Sequence, residues 1–229
     1  MSSFVFAPPA TASVPVAGRS ERFPVHRIYC IGRNYAEHAK EMGAAVTPED
    51  PIFFMKPADA VVCDGADVAY PPATMDLHHE VELVLALGQG GRDLDEASAL
   101  AAIWGHAVGL DLTRRDLQAK AKAKGAPWDV AKGFDASAPI GAIRPVSETG
   151  VLSNGVLRLD VNDQLRQQSD IADMVLDSAK ILMALSRFYT LQAGDLVFTG
   201  TPSGVAALAR GDVFHATFPG LPELRGRMI

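Results

Sequence analysis

Residues 80–87, EVELVLAL, constrain this chain more than any other stretch. Read as a β-strand, successive side chains point to opposite faces. His79, Val81, Leu83 and Leu85 then share one face; His78, Glu80, Glu82, Val84 and Ala86 share the other. Two neighbouring carboxylates on an otherwise apolar strand leave two readings. One is the solvated outer face of an antiparallel sheet. The other is a pair of metal ligands.

The rest of the pattern is strand-rich. Residues 1–24 read as an extended Pro/Ala arm leading into a core, and residues 25–229 as one domain. Strands are expected at 27–31, 52–55, 60–63, 68–70 and 106–112. Gly194 and Gly211 each open a turn feeding a strand, at 194–198 and 211–214. A hairpin is expected across Asn162-Asp163. Amphipathic spacing predicts helices over 93–104, 114–124 and 173–189. A short helix, YAEHAKEM, is expected to start at Asn34 as cap and to end at Gly43. Strands outnumber helices without alternating regularly with them. The fold class is therefore β-rich α+β, a mixed sandwich or distorted barrel with peripheral helices.

Charge and composition exclude several roles. The net charge is -6, and no Lys/Arg run long enough for a nucleic-acid footprint occurs. The most basic stretch, residues 120–124, alternates Lys with Ala and reads as a solvated helix face. Cys30 and Cys63 stand in no CxxC spacing, which fits a reducing compartment. Prolines interrupt the apolar N-terminus and no basic residue precedes it, so it makes a poor signal peptide. No run approaches the length of a membrane span. A cytoplasmic protein is expected.

Asp111 lies among Val108, Leu110 and Leu112. A carboxylate in that company costs several kcal/mol unless something neutralises it. Pairing with Arg114 or Arg115 would do so. Grouping with Glu80 and Glu82 would instead make an all-oxygen set suited to a hard cation such as Mg²⁺. Zinc spacing is absent. His38 and Glu41 are three apart on one helical face, as a general base and its orienting carboxylate would be, or as two incidental surface residues. Lys132, beside Val130, Ala131 and Phe134, is either snorkelling or held for an anion. FTGTPSGV, 198–205, is a strand entering a Gly-rich turn; its backbone N–H groups and the hydroxyls of Thr199 and Thr201 offer a carboxylate site, or the glycines simply serve the turn.

Six segments, IGRNYAEHAKEMG, PIFFMKPADAV, DLHHEVELVLALG, GLDLTRRDLQ, KGAPWDVAKGFDASAPIG and GDLVFTGTPSGV, resemble the fumarylacetoacetate hydrolase family in its short single-domain form, in the same order. The resemblance implies that Glu80, Glu82 and Asp111 bind a catalytic Mg²⁺ or Mn²⁺. It implies His38 and Glu41 as the water-activating dyad and Lys132 as the catalytic lysine. Arg115 and Gln118 fall on substrate-contacting positions, and Thr199, Gly200 and Thr201 on the loop that meets the substrate acid. Lys56 matches a supporting position. Arg33 or Arg115 is a candidate for a distal carboxylate. Gly133 departs from the Ser that many relatives carry after the lysine.

The activity implied is cleavage of a C–C bond in a 2,4-dioxo acid, with fumarylpyruvate yielding fumarate and pyruvate. A general acylpyruvase and an oxaloacetate decarboxylase are the alternatives, the latter through the same enolate. The partner expected is a small dicarboxylic keto acid, with no nucleic acid and no membrane, and a homodimer is expected by resemblance. A non-catalytic metal- or carboxylate-binding β module would need the three acids but not His38, Glu41 and Lys132.

Overall fold

The strand Val81–Leu87 is buried along its whole length, so both faces of its sheet are covered. The solvated-face reading therefore fails for this segment. The computed structural model describes residues 3–41, 43, 48–63 and 65–229. Among them, an eight-stranded mixed sheet runs in the order Ile52–Lys56, Arg27–Gly32, Asp195–Phe198, Val81–Leu87, Ile103–Leu110, Ala138–Ile140, Val61–Cys63, with Arg144–Pro145 appended to Ile103–Leu110. Asp195–Phe198 pairs parallel with Arg27–Gly32, and Ala138–Ile140 parallel with Val61–Cys63; the other pairings are antiparallel.

Alternation along Val81–Leu87 feeds two separate cores. Val81, Leu83, Leu85 and Leu87 pack with Ile181, Leu182 and Leu185 of the helix Ser178–Ser186, and with Leu157, Leu159 and Phe214 of a four-stranded antiparallel sheet. Val84 and Ala86 face the other way, onto Ile28, Cys30 and Phe198. The N-terminal hairpin, Ser13–Pro15 paired with Arg22–Pro24, covers that second side with Val14 and Phe23. The result is a strand-rich α+β fold, a curled sheet with few helices.

The curl has a local origin. Val81–Leu87 and Ile103–Leu110 pair in the large sheet, then both chains break, at Glu80 and at Asp111. Beyond the break the same two chains pair again, Leu77 with Arg114 and His78 with Thr113, in a three-stranded sheet completed by Ala206–Leu208. Strands that switch sheets this way make the corner of a barrel-like fold.

Helix boundaries differ from those predicted. The helix expected over 93–104 runs Glu96–Ala102, because Asp93 adopts φ +49° and Asp95 caps instead, accepting from Ser98 N at 2.8 Å. The helix expected over 173–189 runs Ser178–Ser186, started by Asp177. At 68–70 only an isolated bridge forms, Val68 with Met228. The short helix runs Ala36–Glu41 and Gly43 ends it at φ +66°, while Met42 lies outside the described residues. Asn162 and Asp163 take φ +52° and +58°, the left-handed pair a two-residue hairpin needs.

His106 is fully buried in Ile103–Leu110, and neither ring nitrogen has a hydrogen-bond partner among the described residues. Burial draws its pKa down to about 4. The unfolded chain, with His near 6.5, binds the proton first, so the native state loses stability as pH falls from 6.5 towards 4. Urea unfolding should show His106→Leu holding about 2 kcal/mol more of its neutral-pH stability than wild type at pH 4.5. Parallel losses in the two proteins would acquit His106.

Candidate active site

The corner gathers the acids. Glu82 stands directly across the ladder from Gly109, and one step along, Asp111 N–H donates to Glu80 O at 2.8 Å. The two-residue period puts Glu80 and Glu82 on one face, and the antiparallel register puts Asp111 beside them. Gly109 leaves room there: a Cβ would meet the Phe198 ring at 2.7 Å. One oxygen from each of Glu80, Glu82 and Asp111 lies within 4.8 Å of the others, and all three residues are buried.

Lysines cross this cluster from below. Lys132, at the end of the short helix Asp129–Lys132, donates to Glu80 Oε2 at 2.8 Å, Asp111 Oδ2 at 2.6 Å and Thr113 Oγ1 at 2.7 Å. Burial opposes its charge, but Asp111 and Glu80 outweigh burial and hold its pKa above the ordinary lysine value. It is not snorkelling. Lys56 Nζ sits 2.8 Å from Asp111 Oδ1, without hydrogen-bond alignment, and donates to Leu112 O and to Lys132 O. Asp111 thus pairs with two lysines rather than with Arg114 or Arg115. Arg115 pairs with Glu80, not with Asp111 or Asp116, and donates to Gln118 Oε1 at 2.6 Å. Burial works against the Glu80 charge, yet Lys132 and Arg115 keep its carboxyl well below the usual range.

Glu82 is the exception. It is 1% exposed and forms no ion pair among the described residues. Its one hydrogen bond among the described residues comes from Gly200 N–H, at 2.7 Å to Oε2. Burial, then the charges of Asp111 and Glu80, push its pKa well above the usual carboxylate value. A buried carboxylate short of positive charge, beside an Asp111 oxygen with no aligned donor, fits a hard divalent cation.

The neighbouring strand supplies the loop. Thr199 N–H and Oγ1 both bond Leu83 O, so this hydroxyl secures the strand, and Gly200 is committed to Glu82. Thr201 lines the cleft and accepts from Gln167 Nε2 at 2.8 Å. Gly200 has φ +93°, and a Cβ there would lie 2.7 Å from Asn34 Cβ. Asn34 does not cap the helix. Its side chain bonds Leu176 N, Leu176 O and Thr199 O, tying the start of the His38 segment to this loop.

His38 lines the same cleft as Glu80, Glu82 and Lys132. Its Nδ1 lies 3.4 Å from Glu41 Oε2, and Glu41 also accepts from Gly204 N–H at 3.3 Å. Burial lowers the His38 pKa against the opposing pull of Glu80 and Glu41, so the ring is neutral at pH 7. Glu37, on the same short helix, is exposed and takes no part in the cleft. Arg33 and Gln118 also line the cleft. A Cβ at Gly133 would sit 3.3 Å from Asp129 O, close but not forbidding, and no proposed group depends on it.

Thr113, Gln167 and Lys122 were missed. Gln167 buttresses the site from the four-stranded sheet, accepting from Val81 N–H and meeting His79 Nδ1 at 2.9 Å; nothing local in the sequence marks it. Lys122 lines the cleft half-buried, not on a solvated face. Its signal was available: residues 115, 118 and 122 continue one helical stripe.

The corner, with its buried acids and lysines, has the donor set of a divalent-cation site. Over 99% of both chains the fold superposes, with a TM-score of 0.96 and 47% identity, on fumarylpyruvate hydrolase from Pseudomonas aeruginosa, solved in complex with Mn²⁺ and pyruvate. The oxaloacetate tautomerase YcgM of Escherichia coli (strain K12) is 45% identical over 86% of this chain and 90% of its own. The mitochondrial oxaloacetate decarboxylase of Dictyostelium discoideum is 40% identical over 85% of this chain and 89% of its own. Residues 27–229 match the family described as fumarylacetoacetate (FAA) hydrolase C-terminal. The chain belongs to the fumarylacetoacetate hydrolase family.

Calorimetry with Mg²⁺ or Mn²⁺ should show Glu82→Ala weakening binding by more than about 100-fold, beyond the loss expected from removing a ligand's supporting partner. Unchanged affinity would strike Glu82 from the donor set. Gly200→Ala should lower stability by about 1–3 kcal/mol in urea titration, through strain at its positive φ and collision with Asn34.

Proposed function

We propose that this protein is a divalent-metal-dependent hydrolase of 2,4-dioxo acids, with fumarylpyruvate as substrate and fumarate and pyruvate as products. The observation that carries the reading is His38, paired with Glu41 and lining the same cleft as Lys132, Glu80 and Glu82. A carboxylate-binding module would have no use for a buried, neutral histidine oriented by a carboxylate.

A cation held by Glu80, Glu82 and Asp111 would supply Lewis-acid polarisation and a seat for the α-keto acid end. The remaining steps fall to the chain's own groups. With Nδ1 turned to Glu41, His38 has Nε2 to take a proton from water. The water oxygen bonds to C4, the C3–C4 bond breaks, and its electron pair remains on the pyruvate fragment as an enolate. Protonation at C3 completes pyruvate, and the C4 side leaves as fumarate. Lys132 provides the fixed positive charge beside the developing enolate. Its three ammonium protons are all engaged, so donating to a substrate oxygen means exchanging one of its present partners.

Oxaloacetate is the second reading, favoured by the chain's likeness to an oxaloacetate tautomerase at 45% identity and an oxaloacetate decarboxylase at 40%. Its decarboxylation passes through the same enolate but needs no attacking water. His38→Ala separates the two. Followed by ultraviolet absorbance, hydrolysis of fumarylpyruvate should slow by about two to four decades and stop in EDTA. A rate that survives the substitution would remove His38 from the scheme. Faster turnover of oxaloacetate than of any acylpyruvate would favour the second reading.

A further inference from the structure

The cleft is charge-matched at one end and unmatched at the other. At the acid cluster Lys132, Lys56 and Arg115 face Glu80 and Asp111. Arg115 is fully occupied there, between Glu80, Gln118 and a 3.4 Å contact from its Nε to His78. Arg33 and Lys122 line the same cleft, and among the described residues neither has an ion-pair or hydrogen-bond partner. Arg33 Nε is buried and unpaired. Its backbone sits at φ +62°, a conformation that costs a non-glycine residue about 1 kcal/mol or more. Lys122 lies on the stripe of Arg115 and Gln118, with Nζ 5.2 Å from the centre of the Trp128 ring. Burial, then the charges of Arg115 and Arg33, draws its pKa down to about 8. Glu80 and Glu82 line the same cleft, but among the described residues no acid is paired with either cation; two cations so placed repel each other, and an anion between them reverses the sign.

We propose that Arg33 and Lys122 form a subsite for a second carboxylate, at the end of the substrate away from the acid cluster. The cleft thereby selects dicarboxylic keto acids over those with a neutral tail. This rests on reading the cleft as a keto-acid site, and it assigns the distal carboxylate to Lys122 with Arg33 rather than to Arg115. Phe54 and Trp128 wall the space between the two ends, which suits a short unsaturated chain.

The test uses a matched pair of non-reacting probes, 2-oxoglutarate and 2-oxopentanoate, identical in length and differing in the distal carboxylate. In calorimetry with Mg²⁺ present, the wild type should bind 2-oxoglutarate about 10- to 100-fold more tightly, the range of a charge-assisted contact. Lys122→Met should reduce that preference to about threefold or less, and Lys122→Arg should keep most of it. In turnover, Lys122→Met should raise KM for fumarylpyruvate far more than it lowers kcat. Equal binding of both probes by the wild type would overturn the proposal. So would a Lys122→Met loss that is the same for both. A binding preference without turnover of any acylpyruvate would sink the hydrolase reading and leave the subsite standing; turnover without the preference would do the reverse.

Discussion

The site hangs on one ammonium group. Lys132 Nζ joins Glu80 on one chain to Asp111 and Thr113 on the other, at the point where both chains leave the large sheet for the small one. Desolvating these charges is expensive, and pairing in a dry interior offsets it only when the geometry is good. Here every ammonium proton has an oxygen within 2.8 Å. Removing either side would strand the other, so the corner and the charge cluster stand or fall together.

Around that centre, support arrives from elements far apart in sequence. Gly200 reaches Glu82 from the loop after the strand Asp195–Phe198, Gln167 reaches Val81 and Thr201 from another sheet, and Asn34 fastens the histidine segment to the loop at Thr199. The packing has one purpose in common: to place acids and bases in a single cleft while denying most of them water. Low local dielectric strengthens each pair and also leaves Glu82 conspicuously uncompensated.

Much of this was legible in the sequence, because the relevant signals are local. The two-residue period placed Glu80 and Glu82 together, and the three-residue spacing joined His38 to Glu41. Whether that strand face met solvent or protein was not legible, since both faces of Val81–Leu87 are buried by elements distant in the chain. Asp111 beside Glu80 depends on register, a pairing that the sequence does not spell out. Asn34 was read as a cap because Asn suits that position, but tertiary partners claimed its side chain. Lys122 was hidden by its own context: Lys alternating with Ala resembles a wet surface until Arg115 and Gln118 on the same stripe are seen to face inward. The long helices were overdrawn at their ends, where Asp95 and Asp177 set starts that periodicity could not.

The N-terminal hairpin bears on where this protein can be cut. The family match spans residues 27–229, yet Val14, Phe23 and Val25 lie in the same core as Val84 and Phe198, behind the strand that carries Glu82 and the one that leads to Gly200. Trp104 stacks toward Phe23 at 5.5 Å between ring centres, closing that side. A version trimmed to residues 27–229 would keep Glu80, Glu82, Asp111, His38 and Lys132 and still leave their scaffold wet on one flank.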